Sequence, residues 1–178
     1  LFPGQRAVVH YLTTGPDAPA LDDANANGVP DYVENVAAAA DASFGFYASQ
    51  GFLTPTPDTG GPDDRPDVYV KRLDDSVAGV AIATFAAEGG SFFLVQPNLE
   101  HGTSGTVQGS LEATVAHELF HVVQYAYLPN GNLPRWFAEG TASAMELLVY
   151  PEIFDSSTSG FVDKWLAETF RPIYDADG

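Results

Sequence analysis

The chain has no cysteine among its 178 residues, one methionine, and only two lysines, Lys71 and Lys164. Without cysteine there are no disulfides, thiolate ligands or thiol nucleophiles, a condition that fits a bacterial secreted protein and a cytosolic one equally. Seven basic residues face 24 acidic ones, for a formal net charge of −17. Nucleic-acid phosphates would be repelled by such a surface, which argues against that class of partner. By default the excess reads as a solvated carboxylate surface; halophilic adaptation and a preference for basic substrates are alternatives that composition does not separate. No apolar run approaches the roughly 20 residues that span a bilayer, so no membrane span is expected. The N-terminus carries no signal-peptide pattern.

What is present is a globular composition: 45% hydrophobic residues, with 17 glycines and 13 prolines to supply loops. The length suits a single domain over residues 1–178 with a substantial core. Its acidic end, Asp175-Ala176-Asp177-Gly178, suggests truncation at the C-terminus.

The most informative stretch is His117-Glu118-Leu119-Phe120-His121. On a helix, residues four apart share a face, so both imidazoles project together. Two neutral imidazoles at that separation can share one Zn²⁺ at about 2.0–2.1 Å per nitrogen. Glu118 stands beside them, where a carboxylate can take a proton from a metal-activated water. Leu111, Val115, Leu119, Val122, Val123 and Ala126 give the helix an apolar stripe, with Ser110 as N-cap. The bland alternative is a core helix with hydrogen-bonded histidines, but each buried polar group would then need its own partner.

Catalytic zinc sites use three protein ligands and leave a position open. A third candidate, Glu139, lies in Trp136-Phe137-Ala138-Glu139-Gly140-Thr141-Ala142. Between it and His121, the run from Leu128 to Pro134 is a strong reversal signal, and residues 136–149 hold good helix formers without proline. Such a topology can return Glu139 to the histidines.

His-Glu-x-x-His followed by a short loop and Trp-Phe-x-Glu-Gly-x-Ala resembles the gluzincin class of zinc metallopeptidases. The resemblance covers roughly residues 90–150. It implies an α+β, zincin-like fold: a small mixed sheet packed on an active-site helix and a glutamate helix. It further implies His117, His121 and Glu139 as zinc ligands, Glu118 as general base and acid, and a protein or peptide substrate. The metzincin continuation is missing, since Gln124 and Tyr127 stand where Gly and His would follow. The Gly-x-Met-Glu-Asn segment of the best-known aminopeptidase gluzincins is also missing, which favours an endopeptidase. Gluzincins often add a Tyr or His that stabilises the oxyanion; here the candidates are Tyr150, Tyr174 or a residue beyond Gly178. Glu146 is a candidate partner for a ligand histidine. The family also places a substrate-pairing edge strand before the histidine helix, a position occupied here by residues 83–96; an ordinary core strand is the equal alternative. The competing class is a non-catalytic calcium-binding or adhesive domain that retains the fold, and a further alternative is a latent zymogen. A propeptide or an additional C-terminal domain is compatible with either.

A second motif, Asp23-Ala24-Asn25-Ala26-Asn27-Gly28-Val29-Pro30-Asp31-Tyr32-Val33-Glu34, matches the twelve-position calcium-loop pattern in full. Asp23, Asn25 and Asn27 would offer side-chain oxygens, Val29 its carbonyl, Asp31 a direct or water-mediated contact, and Glu34 a bidentate carboxylate. No entering helix precedes it, so a structural clamp feeding one helix from Asp31 to about Tyr47 is expected, with a metal-free Asx cap as the alternative. Some secreted bacterial metallopeptidases carry a similar run, and the calcium need points to an extracellular setting.

Elsewhere, residues 6–12, 67–73 and 91–96 read as strands, and 77–85 as strand or loop. Residues 161–170 read as a short amphipathic helix, and His101 as a surface residue.

Overall fold

The computed structural model describes residues 1–57, 61, 63–83, 90–99, 106–128 and 133–153. The expected helix over 161–170, Tyr174, His101 and part of the 128–134 reversal lie outside the described residues.

In chain order the elements are β1 (Phe2–Pro3), β2 (Val8–His10), α1 (Asp31–Ser49), β3 (Asp67–Val70), β4 (Gly79–Ala83), β5 (Ser91–Val95), α2 (Val107–Tyr127) and α3 (Arg135–Val149), with a single 3₁₀ turn at Pro151–Ile153. The architecture is mixed α+β, with a five-stranded sheet ordered β1-β2-β3-β5-β4. Strands β2, β3 and β5 run parallel, whereas β1 and β4 pair antiparallel at the two edges.

Alternation puts Val9, Val68, Val70, Phe93 and Val95 into one core with Val33, Val36 and Ala40 of α1 and Leu111, Val115, Leu119 and Val122 of α2. The alanines of α1 allow a close approach to α2. There the buried Tyr47 hydroxyl donates to the Ala116 carbonyl at 2.7 Å, and its ring meets Phe120 edge-on at 5.3 Å. The residue just before His117 is therefore anchored to the neighbouring helix.

Three sequence expectations need correction. The α2 cap is Thr106, whose side chain accepts from the Gly109 amide at 3.0 Å, while Ser110 lies inside the helix and donates to the Thr106 carbonyl. Strand β5, within the region proposed as the substrate-pairing edge, lies between β3 and β4; the edge beside α2 is β4. The expected strands at 6–12 and 67–73 are shorter, Val8–His10 and Asp67–Val70. Among the described residues no helix is long and apolar enough to cross a membrane.

Candidate metal centre

Helix α2 presents His117, Glu118, His121, Gln124 and Tyr125 to one cleft of about 310 Å³, closed on its other sides by Gly79, Val80 and Ala81 of β4 and by Ala138 and Glu139 of α3. Their spacing follows the 3.6-residue period. A larger cleft of about 530 Å³ around Pro16, Arg72 and Pro97 has neither histidine nor a carboxylate cluster, so size alone does not locate the chemistry.

Nε2 of His117 lies 3.0 Å from Nε2 of His121 and 3.2 Å from Oε2 of Glu139, and the His121–Glu139 separation is 3.6 Å. A tetrahedral ion with bonds of about 2.0–2.1 Å holds its ligand atoms about 3.3–3.4 Å apart. The three observed distances straddle that edge length. Among the described residues this is the only group of three or more His, Cys, Asp or Glu side chains whose ligand atoms converge in this way. The group can hold a metal ion.

The outer hydrogen bonds decide which ring nitrogens are free. Gln124 uses its amide nitrogen on the Ala138 carbonyl (2.9 Å) and on Thr141 Oγ1 (2.8 Å), which itself donates to the Phe137 carbonyl. Its Oε1 therefore accepts from His121 Nδ1 at 2.8 Å. Glu146 Oε1 accepts from His117 Nδ1 at 2.6 Å. With both Nδ1 atoms protonated, two Nε2 lone pairs and the Glu139 carboxylate face one point, where a cation can sit among them. In the metal-free chain a proton can serve; a divalent ion engages all three.

Electrostatics fit that reading. Burial works against charge on His117, yet the Glu146 hydrogen bond and the surrounding carboxylates raise its pKa above the ordinary value. Burial, with repulsion from His117, lowers that of His121. Glu118 is pushed up to about 7, first by burial and then by the Glu139 and Glu146 charges, against His117 and the Ala81 amide that donates to it. A divalent ion beside it would act in the opposite direction.

Glycine at 79 makes this arrangement possible. A Cβ there would stand 2.6 Å from Glu118 Cγ and 2.9 Å from Thr114 Cγ2. Only a residue without a side chain lets β4 pass this close to α2.

Tyr150, a candidate oxyanion donor, instead directs its hydroxyl to the Ala39 carbonyl of α1 at 3.3 Å, and it does not line the cleft. Gln124 and Tyr125 were not anticipated, although their positions three and four residues after His121 put them on the same helix face.

In the 23–34 loop, Gly28 (φ 87°) and Ala26 (φ 56°) make the turns. The Asp23 carboxylate accepts the Asn27 and Gly28 amides at 3.1 and 2.8 Å. Side-chain amides of Asn25 and Asn27 donate to the two Glu34 oxygens at 2.8 and 2.7 Å. The Asp31 carboxylate turns to the Ala24 amide, and the Val29 amide donates to Asn27 Oδ1. The loop thus gathers Asn25, Asn27 and Glu34, but its carboxylates are hydrogen-bonded internally rather than converging on one point.

Comparison with protein families, curated proteins and solved structures finds no match for this chain.

Proposed function

We propose that the protein is a zinc-dependent peptidase of gluzincin type that cleaves internal bonds of protein or peptide substrates. The observation that carries this reading is the convergence of His117 Nε2, His121 Nε2 and Glu139 Oε2, with Glu118 beside them on the same cleft. Two neutral imidazoles and one carboxylate are a donor set suited to zinc, and three protein ligands leave a tetrahedral ion one open position. Zinc held there supplies a Lewis acid that polarises a scissile carbonyl and lowers the pKa of a water toward about 7.

The chain's own residues do the rest. Glu118 takes a proton from the attacking water and delivers it to the departing amine, a role open to it because it is not one of the converging ligands. Glu146 and Gln124 hold the imidazoles in the productive tautomer. Substrate binding falls to β4. Ala78 and Val80 face β5, the Ala78 carbonyl accepting from the Gln96 amide, so alternation turns the backbone groups of Gly79, Ala81 and Ala83 away from β5, where the Ala81 amide meets Glu118 and the remaining groups lie along the edge. An extended peptide can add a strand there. Because Ala81, the residue at Glu118, is central in β4, such a peptide is held on both sides of the bond to be cut, which favours an internal bond.

Chelated protein is expected to lose cleavage of unfolded protein substrates and to regain it with one equivalent of zinc. A zinc-saturated chain that cleaves no member of a broad peptide library would overturn the proposal.

We further propose that the 23–34 loop takes a structural Ca²⁺ once Asn25 and Asn27 rotate their amide oxygens inward, which would suit an extracellular setting. Calcium at 100 times its dissociation constant should then stabilise the fold by about 2.7 kcal/mol. Thermal unfolding with and without calcium checks this, with Asp23→Ala as control. Identical melting temperatures for the parent chain in both conditions would remove the clamp.

A further inference from the structure

Gln96 follows β5 directly and is buried, at 8% exposure. A buried amide side chain needs partners at both its ends. Here Oε1 accepts from the Leu73 amide at 3.1 Å and Nε2 donates to the Asp74 carbonyl at 2.9 Å. Its main chain is engaged as well: the amide donates to the Ala78 carbonyl at 2.9 Å, and the carbonyl accepts the Tyr32 hydroxyl of α1. One residue thereby ties α1 and the end of β5 to two places on the connection from β3 to β4. The Asp74 carbonyl also accepts the Val77 amide at 2.8 Å, and its carboxylate the Ser76 amide at 3.1 Å. Residues 74–77 are thus a closed turn that hangs on the Gln96 side chain.

What this turn delivers is Gly79. Strand β4 has five small or aliphatic residues with no polar alternation, and none of them is buried, so its own pattern specifies register weakly. The site nevertheless demands one register. Paired as Gly79↔Val95 and Ala81↔Phe93, β4 sets the residue without a Cβ against Glu118 and Thr114. The bond from Gln96 to Ala78 extends that ladder by one step, and the bonds to Leu73 and Asp74 hold the incoming chain at that step.

From this geometry we infer that Gln96 is the positioning residue of the substrate edge. It keeps β4 in register on β5, so that an extended peptide paired to β4 presents one fixed bond to Glu118. The inference rests on the peptidase reading and adds a residue that stands outside the metal cleft.

The test is Gln96→Leu, which keeps most of the bulk and deletes both side-chain hydrogen bonds. With a long extended peptide and zinc-loaded protein, KM should rise about 10-fold while zinc affinity stays at the parent value. Mass spectrometry of the products should show cuts spread over adjoining bonds where the parent cuts one. A merely stabilising residue would lower the folded fraction and hence apparent kcat, leaving KM and the cut position alone. Amide exchange along residues 79–83 is a readout independent of turnover, and it should quicken about 10-fold with α2 unchanged. Tyr32→Phe, which removes one oxygen and loosens the same clamp from α1, should move KM, cut position and exchange in the same direction by less. It carries the test if Gln96→Leu does not fold. Unchanged KM, an unchanged cut position, unchanged exchange or a fall in kcat alone overturns the inference. Parent protein that holds zinc yet cleaves nothing removes the peptidase reading and this inference together. Active parent protein with a Gln96→Leu chain of equal KM and cut position removes this inference alone.

Discussion

Glu118→Gln is expected to keep one zinc per chain and to lower kcat by about 10²–10⁴-fold. The amide has the same shape, can still accept the Ala81 amide hydrogen bond, and takes nothing from the converging ligands. What it loses is the ability to take and return a proton. Stability should not fall, because the carboxylate is buried between other acidic groups and its charged form is already disfavoured there. Parallel measurement of fluorogenic-peptide turnover, zinc content and melting temperature separates these effects. Retained turnover would remove Glu118 from its role, and lost zinc would mean that the residue supports the metal rather than the proton.

The second large effect concerns the metal itself. His121→Ala deletes one of the three ligand atoms and should abolish both zinc retention through desalting and the rise in melting temperature that zinc gives the parent chain. Gln124→Leu provides a graded comparison. It leaves all three ligands but frees the His121 tautomer and breaks the bridge to Ala138 and Thr141 of α3. Loss of such an outer partner weakens metal affinity by about 10–100-fold. Zinc titration against a chelating dye should therefore rank parent, Gln124→Leu and His121→Ala in falling order. Equal affinity in all three would place the metal elsewhere.

The parts of this site carried by local periodicity were legible in the amino-acid sequence. His117, Glu118 and His121 follow the period of a helix whose apolar stripe is plain, and the proline- and glycine-rich reversal before Arg135 announces the return that brings Glu139 back. Less could be read where partners are distant in sequence. Strand β4 is short, small and apolar with no clear period, and its place at the sheet edge depends on antiparallel pairing with β5 beyond an intervening segment. The need for glycine at 79 arises only when β4 meets Glu118 and Thr114 across the cleft. Two hydroxyl residues four apart, Thr106 and Ser110, both suit a helix start, and pattern alone selected the one nearer the apolar stripe. In the 23–34 loop the pattern gives the types of oxygen donor but not their orientation, and the amides of Asn25 and Asn27 point nitrogen, not oxygen, at Glu34.

The most direct test of the metal centre is X-ray absorption at the zinc edge on chain loaded with one equivalent of zinc, paired with anomalous diffraction from crystals of the same preparation. The account predicts a four-coordinate ion with two imidazole nitrogens at about 2.0–2.1 Å, one carboxylate oxygen at about 2.0–2.2 Å and one exchangeable oxygen, the anomalous peak lying among His117, His121 and Glu139. A peak elsewhere, or a coordination shell without Glu139, would contradict it.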